Sequence, residues 1–193
     1  LNFKQNNRLG YHWAGAGGSW SWNNGPIIDS NSWNHVALVI TPDSATIYWN
    51  GVGYTRVASH GAVDFTAPLK IGRDRYWTDR TFNGWIDEVS VYNRALSRNE
   101  IRELRHLTRN PQTDPSLVAY YQFNEVEGAV LDKAGVSHAA LLSDASRVVS
   151  SAPVGGGGSR GARHPGDPGR ARFRSVLGIP GTDHRTRIRR AGQ

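Results

Sequence analysis

The sequence predicts an all-β protein of antiparallel strands with one short helix, and three observations predict it. The first is the segment Phe82–Leu107. Asn83-Gly84 opens it with a turn, and from Asp87 to Val91 the pattern alternates, Val89 and Val91 on one face, Glu88 and Ser90 on the other. That is a strand with one side buried. Ser97 and Glu100 then form a capping box, and Leu96 and Ile101 make the apolar staple around it. Ile101, Leu104 and Leu107 fall on one helical side before Asn110-Pro111 ends the run. The second observation is the nearly continuous apolar stretch His35–Ile40, which suits a central strand covered on both faces. The third is its continuation. Thr41-Pro42-Asp43 turns, Ala45–Trp49 returns and Asn50-Gly51 turns again, the spacing of a meander.

The run Phe82-Asn83-Gly84-Trp85-Ile86-Asp87-Glu88-Val89, followed by Tyr92-Asn93-Arg94-Ala95-Leu96-Ser97 and a helix, closely resembles the C-terminal signature of laminin-G-like modules of the concanavalin A-like lectin/glucanase superfamily. Trp33–Val39 and Ile47–Gly51 are similar to two further strands of that family. The resemblance implies an antiparallel jelly-roll β-sandwich with one short C-terminal helix. It also implies an extracellular or cell-surface binding module whose partner is a glycan or an extracellular protein.

In chain order, residues 1–13 suit one or two short strands with Phe3, Leu9 and Tyr11 inward. Ala14–Gly18 is a glycine-rich bend, and no Lys-Ser/Thr follows it to make a phosphate loop. Ser19-Trp20-Ser21-Trp22 puts two tryptophans on one face, for packing or for stacking on sugars. Leu69–Gly72 reads as a short strand, and Gly72–Arg80 as a polar loop carrying Tyr76 and Trp77. Leu117–Phe123, with Asn124, Glu125, Gly128, Asp132 and Gly135, resembles the opening strand and loop of a laminin-G-like module.

The later part of a module therefore precedes an opening part. Residues 1–109 read as the C-terminal part of a sandwich, 110–116 as a linker, and 117–154 as opening strands. Those strands either start a tandem module or fold back to complete the first. From Gly155 the composition shifts to Gly, Pro and Arg, which predicts a disordered tail over 155–193.

The net charge of +7 lies wholly in that tail, where nine arginines face only Asp167 and Asp183. The body is neutral, so the charge argues for a solvated tail. Through it, nucleic acid would bind only non-specifically and with strong salt dependence. The absence of cysteine excludes disulfides and thiolate metal sites. No apolar run approaches the ~20 residues that span a bilayer. The chain begins at Leu1 and holds no methionine; it reads as a fragment of a longer protein, whose export signal would lie outside it.

Glycoside hydrolases need two carboxylates facing one substrate, ~5–5.5 Å apart for retention and ~6.5–9.5 Å for inversion. The adjacent strand carboxylates here are Asp87 and Glu88, and consecutive strand residues point to opposite faces. The sequence therefore reads as non-catalytic. Asp87, near the core rim, needs a hydrogen-bond donor, a cation or a metal. The resemblance suggests calcium held by Asp87 and Asp132, with backbone capping or an arginine partner as the alternative. The candidate ligand contacts are Tyr76 and Trp77, with Arg73, Arg75 and Asp79 as hydrogen-bonding neighbours; the alternative is a loop folded over the sandwich end with Trp77 half buried. His12, His35 and His60 read as structural. A spacer without its own ligand is the competing reading to glycan binding or adhesion.

Overall fold

The computed structural model describes residues 1–3, 7–13, 25–64, 68–74, 76–77, 79–135, 138–141, 145–148, 150, 152 and, for the backbone, 171–178. Eight strands are β1 (Asn2–Phe3), β2 (Leu9–Gly10), β3 (Trp33–Ile40), β4 (Ser44–Trp49), β5 (Val52–Val57), β6 (Gly84–Tyr92), β7 (Leu117–Tyr121) and β8 (Ala171–Gly178). One helix, α1, spans Arg98–Arg105. Strands β1 and β2 pair with each other, and the other six form one sheet in the order β5-β4-β3-β8-β6-β7. All pairs are antiparallel except those of β8, which runs parallel to both β3 and β6.

The expected coverage of β3 on both faces is what the structure has. Val36, Leu38 and Ile40 pack with Leu9, Tyr11, Trp13 and Ile28 on one side. Ala37 and Val39 pack with Tyr92, Leu96, Ile101 and Leu104 on the other. The Asn50-Gly51 turn has positive φ at both residues, the geometry of a tight hairpin. Its Asn50 carbonyl accepts from Arg105 Nη1 at 2.8 Å, which ties the meander to α1. Asn34 is a buried polar hub: its side chain accepts from Trp49 Nε1 (2.7 Å) and donates to the Asp29 carbonyl (2.8 Å). His60 is buried against Tyr11, with Tyr11 Oη 2.8 Å from Nε2, a structural role as expected.

The helix starts as its sequence predicts. Ser97 Oγ accepts from Glu100 N–H, and the Glu100 carboxylate accepts from Ser97 N–H at 2.8 Å. Its end differs, because α1 stops at Arg105 and Leu107 lies beyond it at φ +55° and partly exposed. Thr108 N–H reaches back to the Glu103 carbonyl and Leu107 N–H to that of Leu104, so Leu107 occupies the left-handed capping position that glycine normally fills. The clash of a Cβ there costs ~1–2 kcal/mol. Leu107→Gly is therefore expected to raise stability by about 1 kcal/mol in denaturant titration; a loss of that size would show that the Leu107 side chain contributes more than its backbone costs.

Strand β6 also departs from the expectation of one buried side. Val89 packs with Tyr121 and Val130, while Ser90 and Tyr92 are buried as well, because α1 covers the other face. A register shift interrupts β6 between Asp87 and Ser90, with Glu88 at φ +54°. Strand β7 pairs with β6, Val89 opposite Tyr121 and Ser90 opposite Tyr120.

The disordered tail expected over 155–193 needs correction at 171–178, where β8 occupies the slot between β3 and β6. Averaged over the tail, composition hides an eight-residue segment that includes Phe173, Val176 and Leu177. In addition, the facing edges of β3 and β6 offer backbone donors and acceptors that only a strand can satisfy. Ala14–Gly18, Trp20 and Trp22 lie outside the described residues, as does the rest of the tail.

Around α1 runs an ion-pair network. Arg94 Nη2 lies 2.6 Å from Glu100 Oε1 and 2.5 Å from Asp114 Oδ2, and Arg109 Nη2 lies 2.8 Å from Asp114 and 3.1 Å from Glu100. The Arg94 hydrogen bonds hold Glu100 at about 2, against an ordinary value of 4.5. Burial works to raise the Asp114 carboxyl, but hydrogen bonds from Ser116, Arg109 and Arg94 outweigh it and leave the group well below the usual carboxylate range. Both groups are depressed in the folded state, so their contribution is present above pH ~4.5 and is lost as pH falls toward 2. We expect roughly 3 kcal/mol of stability to disappear over that window. Chemical denaturation at pH 6 and pH 2.5 measures it, and equal stability at both would contradict the network.

Candidate ligand-binding site

The hairpin between residues 72 and 82 builds the exposed aromatic surface. Phe82 N–H donates to the Gly72 carbonyl at 2.7 Å, Arg73 pairs with Thr81, and Asp74 N–H donates to the Arg80 carbonyl at 2.9 Å. Gly72 has φ +78°, and a Cβ there would press on Ile86 Cδ1 at 3.3 Å, so the stem enters next to packed side chains. Asp74 sets the tip: its Oδ1 accepts from Tyr76 N–H (2.8 Å) and Trp77 N–H (3.1 Å). Those two backbone bonds lower its carboxyl below the ordinary aspartate range. A short acidic side chain bonding the backbone two and three residues on makes a self-contained turn.

With the backbone so held, Tyr76 is 76% exposed and Trp77 56% exposed. The Arg80 guanidinium lies 5.0 Å from the Trp77 ring centroid, within cation–π range, and supports one face of the ring. Asp79 is exposed at the same turn, and Arg75 lies outside the described residues. Thus four of the five expected ligand residues, Arg73 among them, share one hairpin. Asp74 and Arg80, which orient the aromatics, were not picked out from the sequence. The signal for Asp74 was there, an Asp two residues before an aromatic pair in a polar loop.

The two aspartates that the resemblance assigns to calcium sit in hydrogen-bonded settings. Asp132 Oδ1 accepts from Tyr120 N–H (2.8 Å) and Ala134 N–H (2.9 Å), and Asp132 bridges to Tyr121 of β7. Asp87 Oδ1 accepts from Glu88 N–H (3.1 Å), and Oδ2 accepts from the Ser150 hydroxyl (2.7 Å). Calcium takes six to eight oxygens. Among the described residues no group of three or more His, Cys, Asp or Glu side chains is placed to hold a metal, and the carboxylate oxygens named already accept hydrogen bonds. Melting curves in calcium and in chelator are expected to coincide. A calcium-dependent rise of several degrees, the size that saturating a site would produce, would contradict this.

Asp87 and Glu88 also part company. Asp87 bonds Ser150, whereas Glu88 accepts the Tyr120 hydroxyl beside a cavity of about 20 Å³ lined by His35, Ser90, Leu104 and Arg109. That space has room for about one water. Burial, then the Glu88 hydrogen bond, pushes the Tyr120 hydroxyl well above its usual range.

Residues 1–102, just over half of the chain, match the family model Laminin_G_3, described as belonging to the concanavalin A-like lectin/glucanases superfamily. The chain belongs to this laminin-G-like family. Among solved structures, the laminin-G-like chain is similar to the crystal structure of an S-layer domain-containing protein (residues 221–444) from Clostridium thermocellum ATCC 27405. The two share 26% identity over 42% of each chain, with a TM-score of 0.37. The chain thus spans less than half of that structure. No curated protein matches it in sequence.

Proposed function

We propose that this laminin-G-like chain is a non-catalytic binding module that takes glycans, serving adhesion as part of a larger secreted or surface protein. The ligand surface is the hairpin carrying Tyr76 and Trp77. The observation that carries this reading is the exposure of two large aromatic side chains on a turn whose backbone Asp74 pins. Exposed rings amid polar groups stack on the apolar faces of sugars, while neighbouring charged groups bond their hydroxyls. The sandwich architecture of the family suits this role, since a packed core holds a loop at one end in a fixed geometry. Packing of Leu9, Tyr11 and Trp13 over β3 agrees with a second layer. Asp87 and Glu88 hold separate partners, Ser150 and Tyr120, which supports the non-catalytic reading.

The experiment is retention on a panel of immobilised polysaccharides, with reducing ends assayed in the same wells. The expected result is retention without release of reducing ends. Release that is lost in Asp87→Ala or Glu88→Ala would show a hydrolase. Absence of retention across the panel would favour a spacer module.

A further inference from the structure

Residues 58–64, which follow β5, lie against Tyr11 and Trp13 of the core. His60 is the buried residue among them, 6% exposed, while Ser59, Gly61, Ala62 and Asp64 are exposed. Ala58 N–H donates to the Asp43 carbonyl (3.0 Å) and His60 N–H to that of Pro42 (2.8 Å). The Trp13 indole N–H donates to the Gly61 carbonyl (2.8 Å), and His60 Nε2 lies 2.8 Å from Tyr11 Oη. Val63 packs against the same cluster as Tyr11 and Trp13. We propose that this segment is an acid-released strap and that His60 is its latch: protonation of the imidazole unseats it and uncovers Tyr11 and Trp13.

The seat suits a neutral ring. Tyr11 and Trp13 flank the imidazole with ring centroids at 5.5 and 6.1 Å, and Nδ1 is enclosed without a hydrogen bond among the described residues. A neutral imidazole carries one N–H, whereas the imidazolium carries two and a full charge, which is costly away from water. The charged groups that face the ring are Arg56 of β5, which opposes that charge, and Asp43 of the turn before β4, which favours it, as do the backbones of Thr41 and Ala58. Burial is the largest influence and, with Arg56, holds the imidazole below its ordinary value of 6.5. Asp43 is exposed and already engaged by the Thr41 hydroxyl at 2.6 Å, so solvent screens its charge. An open strap places His60 in water, where it takes a proton at the ordinary value. The open form therefore binds more protons, and closure weakens as pH falls below 6.5. The carboxylates around α1 act below pH ~4.5, so the two acid responses fall in separate windows.

Amide hydrogen exchange of the full-length protein between about pH 7.5 and pH 5.5, with intrinsic rates divided out, reads the strap directly. Uptake of a single proton raises the opening constant by at most about ten-fold per pH unit, so protection at 58–64 is expected to fall several-fold over that range. His60→Gln and His60→Phe, neither of which titrates, lose this pH dependence whatever they do to the protection itself. Protection independent of pH in the wild type, or an equal fall in both variants, would overturn the latch. The imidazole resonances of the wild type test it without any substitution, and decide the matter if neither variant folds. His60 is expected to titrate below 6.5 in the folded protein, and a value at or above that would overturn the proposal.

Discussion

Asp114→Ala is expected to cost about 3 kcal/mol of folding stability, the scale of breaking a buried ion pair by removing one partner. The Asp114 side chain is 3% exposed, and it is the shared acceptor of Arg94 and Arg109. It also accepts from the Ser116 N–H and hydroxyl, at 2.9 and 2.6 Å, at the entrance to β7. Removing the carboxylate leaves two guanidiniums converging on Glu100 and frees the turn that delivers β7 to β6. In a chain of this size the loss corresponds to ~6–12 °C in melting temperature. Asp114→Asn keeps an acceptor for Ser116 and is expected to fall between the wild type and Asp114→Ala. A drop below 1 kcal/mol in Asp114→Ala would mean that the network is a surface feature of little weight. Ligand retention should not change in either variant, because the partners of Asp114 among the described residues are Arg94, Arg109 and Ser116, all outside the aromatic hairpin.

This network shows why parts of the fold were invisible in the sequence. Arg94 and Asp114 are twenty positions apart, and no periodicity connects them. The capping box, by contrast, is written in four residues, Ser97 to Glu100, and forms as expected. The same holds for Asn50-Gly51, whose residue types specify the positive φ values that the turn adopts. The continuous apolar run of β3 reported correctly that both its faces are covered. In β6 the alternation looked regular, and the break at Glu88 left no mark on it, because that break belongs to pairing with β8. Strand β8 itself was lost in the composition of its surroundings.

The candidate site was legible to a similar degree. A polar loop bearing Tyr76 and Trp77 could be named from residue types, but not the exposure of the rings, which depends on how Asp74 folds the backbone beneath them. For Asp87 and Asp132 the sequence left metal and backbone donors as alternatives. The three-dimensional neighbours, Ser150, Tyr120 and Ala134, supply donors that residue types alone could not name.

The most direct measurement of the account is glycan affinity in Tyr76→Ala/Trp77→Ala, taken beside its melting temperature. Stacking on an exposed ring contributes roughly 0.5–1.5 kcal/mol beyond the area it buries. Two rings lost together should therefore weaken binding by ten- to a hundred-fold or more. Neither side chain is part of the packed core, so melting should stay within about a degree of the wild type. Trp77→Phe, which keeps a ring, should retain part of the affinity. Loss of affinity at constant melting temperature is the result this account predicts. Unchanged affinity in the double variant would contradict it and place the ligand surface elsewhere on the module.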